Sequence, residues 1–170
     1  RSVTALIKNP YLFIEPYLHQ LMPPVLTCLV GKRLSETNED QLHWLVRDEA
    51  AGIIAALCQA YGTAYNNMVP RIAKTMMKAL TDADKPITCH YGAIVGIAAL
   101  GPQAIDSLLV PLVGEYYERL MAVEGKEAEN VGGALERCAD CWLRTFGDST
   151  DEKMVKTKDL LNSLFRSMRD

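Results

Sequence analysis

Gly52-Ile53-Ile54-Ala55-Ala56-Leu57 and Gly96-Ile97-Ala98-Ala99-Leu100 are two versions of one phrase. Aligned on the shared Ala-Ala-Leu, Leu57 falls on Leu100 at an offset of 43 residues. The segments that follow also match. Leu21-Met22-Pro23, Met68-Val69-Pro70 and Leu109-Val110-Pro111 each give two apolar residues and a proline. Another β-branched apolar residue comes two later in each, at Val25, Ile72 and Val113. The proline offsets are 47 and 41 residues. Periods of about 40–47 residues with two helices per unit mark HEAT and armadillo solenoids. One pair cannot bury both its faces, so pairs must stack. Gly and Ala on the first helix are expected to let the second pack closely. The prolines are expected early in their helices, where a missing N–H costs little, or at a bend. The alternative is a plain helical bundle with chance similarities.

Outward from these phrases the hydrophobic period stays helical, and no long alternating strand appears. The pattern predicts helices over roughly 2–9, 14–33, 40–62, 66–82, 87–101, 103–124, 130–146 and 152–168. Asn9-Pro10, Gly62, Lys85-Pro86, Gly101-Pro102 and Asp148 to Asp151 punctuate them. Val123 to Asn130, polar and containing Gly125, reads as an exposed connection. The expected fold is all-α, an α-solenoid of about four to five HEAT-type helix pairs with right-handed stacking. Residues 1–170 are expected to form a single domain of that kind.

Composition sets the limits. Of 170 residues, 49% are hydrophobic and 23% charged, the balance of a soluble globular chain and not of a disordered tail. Only 7% are aromatic, so the core must be mostly aliphatic and alanine. A net charge of -3 argues against a dedicated nucleic-acid module, which needs a basic excess to neutralise phosphates. No stretch approaches the roughly 20 apolar residues that cross a bilayer. No signal peptide precedes the first helix, and the start at Arg1 points to a domain of a longer protein. Cysteines at 28, 58, 89, 138 and 141 are odd in number and sit in apolar patterns. They are expected to be reduced, buried thiols of a cytosolic or nuclear protein.

Enzyme motifs are missing. His19, His43 and His90 belong to no His-Glu-x-x-His run, and no Gly-x-x-x-x-Gly-Lys-Ser/Thr loop or Gly-x-Ser-x-Gly elbow occurs. Cys138 and Cys141 form a lone Cys-x-x-Cys within a helical pattern; zinc needs four ligands, so both are assigned to packing. Met76 and Met77 read as core and rim. The most unusual polar cluster is His43-Trp44-Leu45-Val46-Arg47-Asp48. Trp and Arg are common contact anchors, so one reading is a partner-binding edge. The other has Arg47 and Asp48 tying neighbouring repeats together while Trp44 fills a core gap. Arg71, Lys74 and Lys78 make a basic stripe at helical spacing. Lys153, Lys156, Lys158, Arg166 and Arg169 load the last helix. Both are read as solvated faces, with contact to nucleic acid or an acidic partner as the alternative.

Several segments together resemble one family. They are Ala5-Leu6-Ile7-Lys8-Asn9-Pro10-Tyr11-Leu12, Glu15-Pro16-Tyr17-Leu18-His19-Gln20-Leu21-Met22-Pro23, Leu26 to Val30, His43 to Asp48, Asn67 to Thr75 and Tyr91 to Ile97. As an ordered set over about residues 3–113 they resemble the C-terminal domain of the sixth TBP-associated factor of TFIID. The resemblance implies a HEAT-repeat domain in a nuclear subunit that also carries an N-terminal histone fold. Through that fold the subunit would pair with the ninth TBP-associated factor. The family scaffolds TFIID, and related subunits serve the SAGA coactivator. Glu49 stands where the family usually has an aromatic residue.

The functional expectation is a non-catalytic interaction scaffold of the RNA polymerase II machinery, without cofactor or metal. Its partners would be other TFIID, and by extension SAGA, subunits; histone-fold pairing belongs to a region outside residues 1–170. The candidate interaction surface is His43, Arg47, Asp48, Arg71 and Tyr91. The rival readings are an unrelated HEAT adaptor and a helical repeat that touches DNA directly.

Overall fold

Each stretch with a helical period contains a helix in the computed structural model, which describes residues 2–7, 9, 11–34, 42–62 and 67–166. Lys8 and Pro10 of the family-like segments, the first residues of the helix expected from 40, and Arg169 lie outside the described residues. Helix α1 is Ser2–Ile7, and a 3-10 turn at Glu15–Tyr17 leads into α2, Leu18–Val30. Then come α3, Leu42–Tyr61; α4, Met68–Thr81; and α5, Ile87–Ala99. Helix α6 opens at Pro102–Ala104, widens through one π-helical turn at Ile105–Leu109 and continues as Val110–Met121. Lys126–Phe146 is α7 and Glu152–Arg166 is α8. Among the described residues no strand occurs. Helices α1, α3, α5 and α7 pack on one another in a row, with α2 against α3 and α4 against α5, the layered arrangement of a HEAT-type solenoid.

The repeated Pro phrase has a physical meaning. Side chains four apart on a helix share a face, and the one between them looks away. Val25, Ile72 and Val113 are all buried, while Pro23, Pro70 and Pro111 are all exposed. Pro70 stands in the first turn of α4, as expected, whereas Pro111 lies deep in α6, just after its π turn. The π turn, closed by the Val110 N–H on the Ile105 carbonyl, widens the helix just before Pro111, whose ring would otherwise press on the preceding turn. Pro23 and Pro24 lie inside α2 and not at its start. The carbonyls they leave without a donor belong to His19 and Gln20, which are exposed to water.

Helix α5 is the axis of the molecule. It packs against α2, α3, α4 and α7, and Cys89, Ala93, Ile94 and Ile97 on its different sides are fully buried. A helix that is apolar all round belongs in an interior. Gly92 and Gly96 make this possible. A Cβ on Gly92 would collide with the Leu29 carbonyl oxygen at the end of α2, and one on Gly96 with the Met76 sulfur and the Leu29 side chain. Gly52 does not share this role, contrary to the expectation for first-helix glycines: it is exposed, with open space where a Cβ would stand.

Past α6 the chain turns at Gly125, whose φ of 131° favours glycine, and α7 begins at once. Only the beginning of the expected exposed connection from Val123 to Asn130 is therefore a connection. Glu127 and Glu129, in the first turn of α7, sit favourably at the positive end of the helix dipole. Asp151 then opens α8, accepting a hydrogen bond from the Lys153 N–H at 2.9 Å.

Candidate functional site

The last carbonyls of a helix have no donor within it and must find one elsewhere. At the end of α2 that donor is Arg47 of α3, only 1% exposed. Its Nη1 donates to the Leu29 carbonyl oxygen and its Nη2 to that of Gly31 at 2.9 Å. The Cys89 thiol of α5 donates to the same Gly31 oxygen at 3.4 Å. A cation here also meets the negative end of the helix dipole. Desolvation by burial pulls the Arg47 guanidinium down from its ordinary value, and the neighbouring Cys89 and Tyr91 oppose that pull. The close approach of α5 at Gly92 is what brings these groups within reach.

The device recurs one repeat later. His90 follows Arg47 by 43 residues, the offset of the Ala-Ala-Leu phrase. Its Nε2 meets the carbonyl of Asp82, the residue that ends α4, at 3.2 Å. A carbonyl only accepts, so Nε2 carries the hydrogen, and Nδ1 accepts from the Tyr116 hydroxyl of α6 at 2.9 Å. Desolvation lowers the His90 pKa, since burial disfavours the imidazolium. At the far end, the Lys158 ammonium of α8 donates to the Gly147 carbonyl that ends α7, at 2.7 Å.

A second polar path runs sideways through three helices. Arg137 of α7 donates to the Tyr91 hydroxyl of α5 at 3.3 Å, and that hydroxyl donates to Asp48 of α3 at 2.8 Å. Burial, and next the Asp48 carboxylate that accepts its proton, push the Tyr91 phenol up to about 12. Trp44 stands edge-on to the Tyr91 ring with centroids 4.8 Å apart, and the His43 ring lies against Trp44 at 4.3 Å. A third link joins α7 to α6: the fully buried Trp142 donates from Nε1 to Asp106 at 2.9 Å.

These contacts divide the five candidate surface residues. His43, Arg47 and Tyr91 are buried, so they offer no free surface in this chain. Arg47 and Asp48 tie neighbouring helices together, with Trp44 edge-on against the Tyr91 ring. Asp48 and Arg71 are exposed. Arg71 is not near the others in role: it lies on α4, on the rim of a groove. Sequence reasoning passed over Gly92, His90 and Arg137. The signal for His90 was present in its spacing from Arg47, but only the structure shows that both reach a helix end.

The groove runs between the 3-10 turn with α2 on one side and α4 on the other, and encloses about 660 Å3. Leu18, Met22, Leu26, Met68 and Ile72 supply its apolar lining. Its rim is polar, with Arg71 and Lys74 from α4 facing Glu15 and His19. Neither α2 nor α4 carries an acidic residue. Before it, Tyr11, Phe13 and Tyr17 are 93%, 73% and 61% exposed, a run of uncovered aromatic rings unusual for a chain with so few.

Cys138 is buried in the core, where desolvation pushes its thiol up to about 12, and Cys141 is half-buried; both are free thiols. Among the described residues no cluster of three or more His, Cys, Asp or Glu side chains is placed to hold a metal ion. Among them, too, no helix is long and apolar enough to cross a membrane.

Helices stacked in layers, a phrase repeated in register and donors that close the ends of α2 and α4 one repeat apart together define a HEAT-repeat solenoid. The chain belongs to the family described as the TAF6 C-terminal HEAT repeat domain, which matches residues 1–114. It is 42% identical over 147 residues to Transcription initiation factor TFIID subunit 6 of Arabidopsis thaliana, covering 81% of this chain and 27% of that protein. With the SAGA complex/transcription factor TFIID complex subunit Taf6 of Schizosaccharomyces pombe it shares 45% identity over 112 residues, 66% of this chain and 25% of the relative. The likeness to TFIID subunit 6 of Drosophila melanogaster is 38% over 160 residues, 89% of this chain and 26% of the relative. The chain thus spans about a quarter of the length of the curated relatives it matches.

Proposed function

We propose that this domain is a non-catalytic scaffold in the assembly of the general transcription factor TFIID, acting in the nucleus at RNA polymerase II initiation. The observation that carries the reading is the family match over residues 1–114, joined to relatives whose names place them in TFIID. The name of the Schizosaccharomyces pombe relative supports extending it to a SAGA complex. The physical properties suit a scaffold. Helix ends closed by Arg47, His90 and Lys158 tie α2 to α3, α4 to α5 and α7 to α8, which holds their outer faces in one relative position. A preorganised surface loses little conformational freedom on binding.

Within this reading Asp48 and Arg71 face partners, whereas His43, Arg47 and Tyr91 act indirectly by holding the helices that present them. Histone-fold pairing belongs to a part of the protein outside these residues. The test is affinity purification of the tagged full-length protein from nuclear extract, with quantitative mass spectrometry of the TFIID and SAGA subunits recovered. Loss of those subunits on deleting residues 1–170, with the rest of the protein still folded, is the expected result. Unchanged recovery after the deletion would overturn the scaffold role of this domain.

A further inference from the structure

Among the described residues, the groove between α2 and α4 is a large concavity that the ties between helices leave unexplained, and its chemistry is lopsided. The floor is aliphatic and thioether: Leu18, Met22, Leu26, Met68 and Ile72. Met side chains there adapt their shape to what they meet. The α4 rim carries Arg71 and Lys74, both exposed, and one turn on comes Lys78, also exposed. No carboxylate of the described residues is ion-paired with any of the three. The opposite rim has Glu15 as its single acid, beside His19. In a chain whose net charge is -3, this cationic row with no acidic residue on either flanking helix is a local inversion. The exposed rings of Tyr11, Phe13 and Tyr17 lie in the segment that forms and precedes the same rim.

We propose that the α2–α4 groove docks an acidic amphipathic helix of a partner protein, with apolar residues in the groove and carboxylates along Arg71, Lys74 and Lys78. The proposal rests on the scaffold reading and names the chemistry of one partner. An amphipathic helix presents apolar anchors at three- and four-residue intervals, which suits an elongated apolar floor. Cations spaced three and four residues apart on α4 match carboxylates spaced the same way on the incoming helix. Nucleic acid fits less well. Its backbone needs cations on a broad face, and it has nothing to place on a floor of Leu, Ile and Met.

The probe is a fluorescein-labelled synthetic helix with leucine at every third and fourth position and glutamate elsewhere, titrated into the 170-residue chain. Saturable binding is expected, weakened roughly tenfold or more in the Arg71→Glu, Lys74→Glu double variant. It should be restored in part by a probe with lysine for glutamate. Met22→Glu, on the floor, is expected to abolish binding of both probes. Lys153→Glu with Lys156→Glu, on the exposed face of α8, is the control and should change nothing. Circular dichroism shows whether each variant keeps its helices, and Arg71→Lys keeps the charge where charge reversal harms the fold. Three results would overturn the proposal: equal binding of a composition-matched probe without an apolar face, displacement of the probe by a short DNA duplex, or a probe-insensitive dimer of the chain that closes the groove. If nuclear-extract purification recovers TFIID subunits equally with wild type and the Arg71→Glu, Lys74→Glu variant, the groove assignment fails while the scaffold reading stands. Recovery of none by the wild type fails the scaffold reading itself.

Discussion

Helices α3 and α5 both carry Ala-Ala-Leu near their C-terminal ends and pack against each other, yet they live in different surroundings. Helix α5 is enclosed by α2, α3, α4 and α7, whereas α3 keeps exposed positions at Leu45, Asp48, Glu49 and Gly52. The comparison becomes sharp position by position. Ile54 and Ile97 are separated by the repeat offset and both are fully buried. Arg47 and His90, separated by the same offset, each donate to a carbonyl at the end of the preceding helix. The glycines do not correspond. The first phrase has an extra isoleucine, Ile53, at the position of Gly96, so Gly52 stands one residue out of step. One residue is a turn of about 100° around a helix, enough to move a glycine from a packed face to solvent. The repeat therefore keeps the inward face and the closing of helix ends, not the literal string.

The largest test of this comparison removes the stronger of the two donors. Arg47→Ala takes away two hydrogen bonds from a charged donor, leaving the Leu29 carbonyl without that donor and the Gly31 carbonyl with only the weak Cys89 thiol, at an expected cost of about 3–5 kcal/mol. Denaturant unfolding should show it as a lower midpoint with the slope kept. A midpoint close to wild type would mean that water replaces the guanidinium and that Arg47 does not fix α2 against α3. Next comes the glycine that is packed. Gly92→Ala sets a methyl against the Leu29 carbonyl, which is backbone and cannot turn aside, so α5 must move off α2. The expected loss is about 3 kcal/mol, and the Arg47 contact should weaken with it. A double-mutant cycle between Gly92→Ala and Arg47→Ala is then less than additive.

The weaker donor differs in being titratable. His90 is neutral when it donates to Asp82 and accepts from Tyr116, and burial holds its folded pKa below the unfolded value of about 6.5. The unfolded chain therefore binds the proton more readily. Stability from this group is fully present above the unfolded pKa and is lost as pH falls below it toward the folded value. Thermal unfolding followed from about pH 7.5 to about pH 5 should show a declining Tm for wild type and a flatter profile for His90→Gln. The half of the molecule closed by Arg47 has no such dependence from its donor. Parallel profiles for the two proteins would assign the acid sensitivity to other groups.

How much of this was legible follows from what is local. The succession of helices and the inward Val25, Ile72 and Val113 follow from spacing along the chain, which a helix converts directly into faces. Packing of Cys138 and Met76 in the core was legible for the same reason. The candidate site was legible only in part. Arg47 was readable both as a contact anchor and as a tie between repeats, because nothing within a turn of it explains its charge; its acceptors lie 16 and 18 residues earlier, across a helix end. Tyr91 joins Asp48 and Arg137 at separations of 43 and 46 residues, which is a property of the stacking. The groove is assembled from helices that are not neighbours in sequence, so Met22 and Arg71 carried no sign of their meeting. The onset of α7 at Lys126 was hidden by a charged first turn that reads as a loop until Gly125 is seen as its start.

The smallest effect has the opposite sign and separates the two helices most cleanly. Gly52 sits inside α3, exposed, with nothing within contact distance of an added Cβ. Alanine there meets no neighbour and restricts the unfolded chain, so Gly52→Ala should stabilise by about 0.5–1 kcal/mol. The same change at Gly96 forces Met76 and Leu29 aside and should destabilise. The two substitutions use the same residue type, in matching phrases, on helices of the same class. If equilibrium unfolding gave both the same sign, the one-residue slip would not be what distinguishes them, and the glycines would have to be explained by helix propensity alone. Opposite signs tie the difference to the enclosure of α5.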